Sequence, residues 1–295
     1  AFLTALGIIL GVAAVITMVS LGEGSKREAL AQIEQLGAKN IILRSDKPAE
    51  SGQQQSTTRS RSFISRYGLL RSDLEVIAAN FPDAEAIVPL KEVGNRVTRG
   101  SLSRPSQSFG STPELMTVAK ISIAPGRGRY LTNADLEEAS MVAVLGHEVA
   151  KSLFPLEDPV GGTFRIDDKT FTVIGVLAPI GLAGGRGASL VGRDLNYDVH
   201  IPITTARAAF TDVIFRSTSG STSASEVQIS EIFVTAPTRE RVLTDANRLR
   251  RIIDVRHADQ PDVQMVVPYE LLENARRSQL TWTLVLSCIA GISLL

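Results

Sequence analysis

Apolar and polar positions divide the 295-residue chain into three stretches. From Ala1 to Leu21 there is no charged side chain, and Glu23 is the first. After Arg277 there is again none, up to Leu295. A run of about 20 apolar helical residues crosses a hydrocarbon core, so residues 1–22 read as one membrane span and 278–295 as the start of a second. Trp282 lies near the start of the second, where an indole ring sits well at lipid headgroups. A secretory signal is the rival reading of the first run, but no basic segment precedes it. The chain opens without Met and stops inside an apolar run, as expected of part of a longer polypeptide. Two spans around a polar middle place both ends of that middle on one side of the membrane.

The middle has a repeated order. "SKREALAQIEQL", Ser25–Leu36, spaces Leu30, Ile33 and Leu36 along one helical face, and Gly37 supplies a left-handed cap. A strand is predicted at Asn40–Ser45. A helix follows over "RSDLEVIAANFPD", with Leu74, Ile77 and Ala78 on one face, and then a strand over Ala84–Val93. Near the far end the order recurs. Ser230–Ala236 alternates as a strand, and Val242, Leu243, Ala246, Leu249, Ile252 and Ile253 form a helical stripe. Val263, Met265 and Val267 alternate as another strand. The two closing strands share a phrase: "FPDAEAIVPL" from Phe81 and "QPDVQMVVPY" from Gln260. Two strand–helix–strand units predict one antiparallel or mixed sheet with both helices on one face, the split βαβ arrangement. "YELLENARRSQ" then leads as a helix into the second span, with Leu271, Leu272 and Ala275 as its apolar contacts toward Leu30, Ile33 and Leu36.

Between the halves, residues 110–225 read as a β-rich insertion. Met141–Gly146 is a buried strand, "HEVAKSLFP" a short helix, and Phe164, Ile166, Phe171 and Val173 alternate about an Asp167-Asp168 turn. The segments 46–62 and 181–197 and "STSGSTSASE" are flexible by composition. The fold class is thus α+β: a split βαβ lobe from residues 23–109 and 226–277, an inserted β-rich lobe, and two flanking transmembrane helices.

Charge and chemistry narrow the function. With 31 basic and 31 acidic residues the net charge is zero, which gives no electrostatic grip on nucleic acid. The lone cysteine, Cys288, excludes an intramolecular disulfide. No phosphate-cradling G-x-x-x-x-G-K-[ST] and no G-x-S-x-G elbow occurs, and "PGRGRY" and "AGGRGA" read as plain loops. His147-Glu148 opens like a zinc helix, but Lys151 stands where the second histidine belongs. His200 and His257 are isolated in sequence. No catalytic, cofactor or metal site is expected. The spans do carry small-residue faces: Gly7, Gly11 and Ala14 in the first, Ser287 and Gly291 in the second, spacings that let helix backbones approach closely.

Three stretches carry a family resemblance. "LTALGIILGVAAVITMVSLGEGSKREALAQIEQLGAKNIIL" resembles the first transmembrane segment and stalk of MacB-type ABC transporter permeases, in the superfamily that includes LolC-like and FtsX-like proteins. "VAVLGHEVAKSLFPLEDPVGGTFRIDDKTFTVIGVL" is similar to the most recognisable part of that family's extracytoplasmic core domain. "VVPYELLENARRSQ" and the apolar run after it resemble the descent into the second span. The resemblance implies a bacterial inner-membrane permease with its large domain on the periplasmic side. It also implies a second permease protomer, an ABC ATPase domain or subunit holding ATP and Mg in the cytoplasm, surrounding membrane lipid, and a periplasmic adaptor protein. Function is then expected to be transmission of ATP-driven motion to the outer domain for efflux. Release of lipoproteins and regulation of a cell-wall hydrolase share this topology, and a membrane-anchored enzyme lacks a motif to support it.

Overall fold

A computed structural model describes residues 37, 39–47, 64–94, 96–180, 194–218, 221–258 and 261–269. The two spans, both stalk segments (25–36 and 270–277) and most of the two long loops lie outside the described residues. Among the described residues no helix is long and apolar enough to cross a membrane.

The first half of the chain contributes β1 (Asn40–Ser45), β2 (Ile64–Arg66), α1 (Arg71–Asn80) and β3 (Ala86–Glu92). The insertion brings β4 (Arg96–Arg99), β5 (Leu102–Pro105), β6 (Gln107–Ser111), α2 (Leu115–Val118), β7 (Ile123–Gly128) and α3 (Asn133–Glu137). It continues with β8 (Val142–Leu145), α4 (His147–Leu153), β9 (Thr163–Ile166), β10 (Lys169–Leu177), β11 (Asp198–Pro202), α5 (Ile203–Ala209), β12 (Val213–Thr218) and β13 (Ser221–Glu226). The second half closes with β14 (Glu231–Thr235), α6 (Val242–Arg256) and β15 (Val263–Val266).

The two strand–helix–strand units interleave. Their strands lie in the order β15-β1-β14-β3, and each pair is antiparallel. Each unit is therefore split by a strand of the other, as the split βαβ reading expects. Both helices cover one face: Ile77 and Phe81 of the first unit and Val242, Ala246, Leu249 and Ile253 of the second share a core with Ile41, Leu43, Ile232 and Val234. The opposite face carries Ile42, Val88, Leu90 and Phe233, and α2 of the insertion covers it with Leu115 and Val118. That two-sided burial explains why β14 is buried at every position. On α1 the buried positions are Asp73 and Ile77; Ala78, expected on the apolar face, is exposed. Leu243 at the start of α6 is likewise outward, 37% exposed, because the stripe that meets the sheet runs 242–246–249–253.

The repeated Pro-Asp phrase joins the units reciprocally. Asp83, after α1, pairs with Arg241 at the start of α6. Asp262, after α6, accepts the Gly68 amide just before α1, at 2.6 Å. Each aspartate thus closes the turn between its helix and its strand against the entry of the other helix.

The sheet does not stop at β3. Two residue pairs, Lys91↔Gly110 and Glu92↔Phe109, pass it to β6, and it continues through β11, β8, β10, β9, β4 and β5. The 109/110 border drawn from composition runs through β6, since β4–β6 hydrogen-bond to strands of the insertion. Val149, Ala150 and Leu153 of α4, with Phe154 just after it, pack on Phe164, Phe171, Val199 and Ile201. The Asp167-Asp168 hairpin forms, with Asp167 at φ 51°.

Two loop readings are corrected. "STSGSTSASE" supplies β13 and the end of β12, and β13 pairs with β2 as well. Backbone pairing needs no apolar alternation, and threonine's branched side chain suits a pleated ribbon. "PGRGRY" lies partly in β7, where Gly128, at φ +83°, sits against the backbone of Ile174 and Gly175.

Within the insertion, Arg129 grips Asp135 through two bonds of 2.6 and 2.9 Å, and Thr132 donates its amide and hydroxyl to the same carboxylate. The guanidinium holds Asp135 far below the usual carboxylate range. The group therefore stabilises the fold fully above its unfolded value of 3.8, and the contribution fades as pH falls below that. Asp135→Asn is expected to cost about 1–2 kcal/mol at pH 7 in urea unfolding, and the gap from wild type should narrow on acidification below pH 3.8.

Candidate coupling junction

The described chain begins at β1 and ends at β15, and these strands are direct neighbours. Ile42 pairs with Val266 and Ser45 with Val263, antiparallel. Entry at residues 37–40 and exit at 266–269 therefore lie at one end of the sheet, on adjacent strands about 4.8 Å apart. No strand intervenes between the two attachments.

The entry is firmly seated. Gly37 adopts φ +79°, and its carbonyl accepts the Asn40 amide at 3.0 Å. Asn40 is 2% exposed; it donates Nδ2 to the Val118 carbonyl at 2.7 Å and accepts the Thr235 hydroxyl at 2.9 Å. One side chain thus binds the first residue of β1 to α2 and to the end of β14. A Cβ on Gly37 would fall 2.4 Å from Asn40 Nδ2, so glycine is required by the approach as well as by φ. At the exit, Val267 is buried and Tyr269 packs against the core shared by both helices.

The opposite end of the same sheet is closed by ionic groups. Asp73 accepts the Leu70 amide at 2.7 Å and pairs with Arg256 at 2.5 Å. His257 lies between Asp73 (Nε2–Oδ2, 3.2 Å) and Asp262 (Nδ1–Oδ1, 2.7 Å). These contacts join the start of α1, the end of α6 and the turn into β15.

A third set binds the sheet to the insertion where β3 meets β6. Lys91 is fully buried and donates to Asp212 at 2.7 Å and to the Phe210 carbonyl at 3.2 Å. Arg71 at the start of α1 holds the same carboxylate with two 2.9 Å bonds. Burial, and Arg71 beside it, push the Arg207 guanidinium down. Gly110 permits the close packing of α5, because a Cβ there would sit 2.2 Å from that of Ala206.

The hypothesised stalk contacts Leu30, Ile33, Leu36, Leu271, Leu272 and Ala275, and the span-packing residues Gly7, Gly11, Ala14, Ser287 and Gly291, lie outside the described residues. What the fold brings together is their points of attachment. Of the histidines set aside as isolated, His200 is wholly buried with Nδ1 2.9 Å from the Tyr130 hydroxyl, and His257 is the residue between Asp73 and Asp262. Lys91 and Asp212 escaped the sequence reading; the signal available was a single lysine inside the apolar phrase "AIVPLKEV". Among the described residues no group of three or more His, Cys, Asp or Glu is arranged to hold a metal ion. A groove of about 840 Å³ runs beside α4, between Arg127, Lys151, Phe154 and Leu156.

A family profile described as MacB-like periplasmic core domain matches residues 1–252. The macrolide export ATP-binding/permease protein MacB of Rhodospirillum rubrum is 32% identical over 297 residues, 99% of this chain and 40% of its own length. The pyoverdine export ATP-binding/permease protein PvdT of Pseudomonas aeruginosa is 27% identical over 293 residues, 99% of this chain and 39% of its own. The chain thus spans about two-fifths of the length of these relatives. Among solved structures, the periplasmic region of MacB from Actinobacillus actinomycetemcomitans matches with TM-score 0.55 at 16% identity, over 84% of this chain and 98% of that one. The extracellular domain of the ABC-type transporter YknZ from Gram-positive bacteria matches at TM-score 0.50 and 14% identity, over 77% and 99%. These two likenesses show a shared fold.

Proposed function

We propose, for a chain that belongs to the MacB-like periplasmic core domain family, a mechanical function: it carries displacement from two membrane stalks into an extracytoplasmic domain of an ABC exporter. The observation that carries this reading is the β1–β15 pair. Two stalks attached to neighbouring strands of one sheet move a single body, because a close-packed core resists sliding of one strand past the next. The fixed seating of Asn40 at one attachment and of Val267 at the other removes slack that would absorb the motion.

In this reading residues 1–22 and 278–295 span the bacterial inner membrane beside a second permease protomer. Ser25–Leu36 and Glu270–Arg277 form the paired stalk helices. ATP and Mg are bound by a separate ATPase domain or subunit, and this chain hydrolyses nothing itself. An adaptor protein meets the outer domain. The names of the relatives join export to ATP binding, which supports this assignment.

The test is to insert four glycines after Gly37 and four before Tyr269 in the intact transporter. Export should fall to background while basal ATPase activity and the thermal unfolding of the outer domain persist. Export that survives both insertions would overturn the mechanical reading in favour of passive docking.

A further inference from the structure

His257 occupies a setting that its place in the coupling function does not explain. Its Nδ1 faces Asp262 Oδ1 at 2.7 Å and its Nε2 faces Asp73 Oδ2 at 3.2 Å. A carboxylate only accepts hydrogen bonds, and a neutral imidazole carries one N–H. Both contacts are therefore hydrogen bonds only when the ring carries two protons. With one proton, a nitrogen lone pair would point at a carboxylate oxygen.

The remaining partners sharpen this requirement. Asp73 and Asp262 are 1% and 6% exposed at the side chain, and His257 10%. The other two acceptor positions are already used. Asp73 Oδ1 takes Arg256 Nε, and Asp262 Oδ2 takes the Gly68 amide. The charged groups that face the ring are thus Asp73 from α1, Asp262 from the turn into β15 and, through Asp73, Arg256 from the end of α6. From the segment before α1 two uncharged amides reach in, that of Gly68 to Asp262 Oδ2 and that of Leu70 to Asp73 Oδ2, the oxygen that also faces the ring. Two carboxylates against one guanidinium leave one negative charge unmatched in a mostly buried cluster, and a protonated His257 matches it. Histidine is the side chain that changes charge near neutral pH.

We propose that His257, Asp73 and Asp262 form a proton-set latch that seats β15, tight when the ring is doubly protonated and loosened when it is not. β15 is four residues long, lies at the end of the sheet and, among the described residues, pairs only with β1. Its upstream anchor is the Asp262 turn, so what holds that turn sets how firmly the strand is held. The sign follows from the donor count: seating is tightest with both ring nitrogens protonated, so acid favours it and base weakens it. That the latch tunes transmission from the second stalk rests on the mechanical reading above; the latch itself does not.

Amide hydrogen exchange on the intact polypeptide in detergent micelles tests it without recourse to transport. Protection of residues 263–266, corrected for intrinsic exchange, should be about tenfold greater at pH 6 than at pH 8.5, the scale of one charge-assisted hydrogen bond. β14, paired on both sides, should not change and serves as the internal reference. His257→Gln should abolish the pH dependence. Asp262→Asn, which still accepts the Gly68 amide and fills the same volume, should reduce it severalfold and guards against misfolding of the first variant. Equal protection of 263–266 at the two pH values in the wild type would overturn the proposal, as would a pH dependence that persists in both variants.

Discussion

Asp212→Ala is expected to destabilise the domain by about 3–5 kcal/mol, read as a loss of unfolding free energy in urea. The argument is the position of Lys91. Its side chain is 2% exposed, and its ammonium has Asp212 as its counter-ion, with the Phe210 carbonyl as a second acceptor. Removing the carboxylate leaves a buried cation facing one carbonyl, and it also leaves Arg71 and Arg207 close together without their shared anion. Lys91→Met should cost far less, about 1 kcal/mol, because Asp212 keeps Arg71 and methionine fills the lysine's volume. In the double variant most of the stability should return. If Asp212→Ala and the double variant lose equal free energy, the buried lysine is not the source of the effect. The pair sits where β3 hands the sheet to β6 through Lys91↔Gly110, Glu92↔Phe109 and the Val93 amide on the Ser108 carbonyl, so the single variant should also loosen the insertion against the β1–β15 body.

A second large effect is expected at the seam of β7 and β10. A Cβ on Gly175 would lie 2.2 Å from the Arg129 carbonyl oxygen, and one on Gly128 would lie 2.1 Å from that of Ile174. Both obstacles are backbone atoms, so no side-chain rotation relieves them, and at Gly128 the φ of +83° adds strain. Either alanine forces the strands apart, and Ile121, Tyr130, Leu131 and Leu177 lose their packing with Val144. A cost of about 3 kcal/mol or more is expected for each. Gly100→Ala is the comparison. Its φ is +58° but nothing lies within 4 Å of the added carbon, so only conformational strain of about 1–2 kcal/mol should appear. Thermal unfolding of the three variants side by side distinguishes contact from strain; equal losses would show that close approach is not what these positions demand.

The parts of this fold that were legible beforehand are those in which one periodicity faces one core. β1 falls on Asn40–Ser45 as predicted, and α6 buries Val242, Ala246, Leu249 and Ile253 from the predicted stripe. The paired units followed from the repeated phrase around Pro82-Asp83 and Pro261-Asp262. Elements held by backbone pairing alone were not legible. The β4–β5 hairpin has every residue of β5 exposed, and β13 is written in serine and threonine, so neither shows an apolar pattern. The candidate junction was legible only as a direction of chain travel. That Asn40, Lys91 and His257 hold it together depends on partners such as Thr235, Asp212 and Asp73, far away in sequence, which no local window contains.

The interleaving of the two units bears on how the protein is made. β1 has β14 on one side and β15 on the other, and neither exists until the chain beyond Glu231 has been synthesised. β3 likewise waits for β14. The first unit therefore emerges with β1 lacking both its neighbours and β3 lacking one of two, and closing that gap means bringing together residues as distant as Ile42 and Phe233. Such non-local pairing is slow, and unpaired strand edges invite association with other chains in the interval. The sheet that joins the two stalks is consequently among the last parts to form, and a ribosome stalled before Glu231 is expected to hold a nascent chain in which β1 remains unprotected against proteolysis.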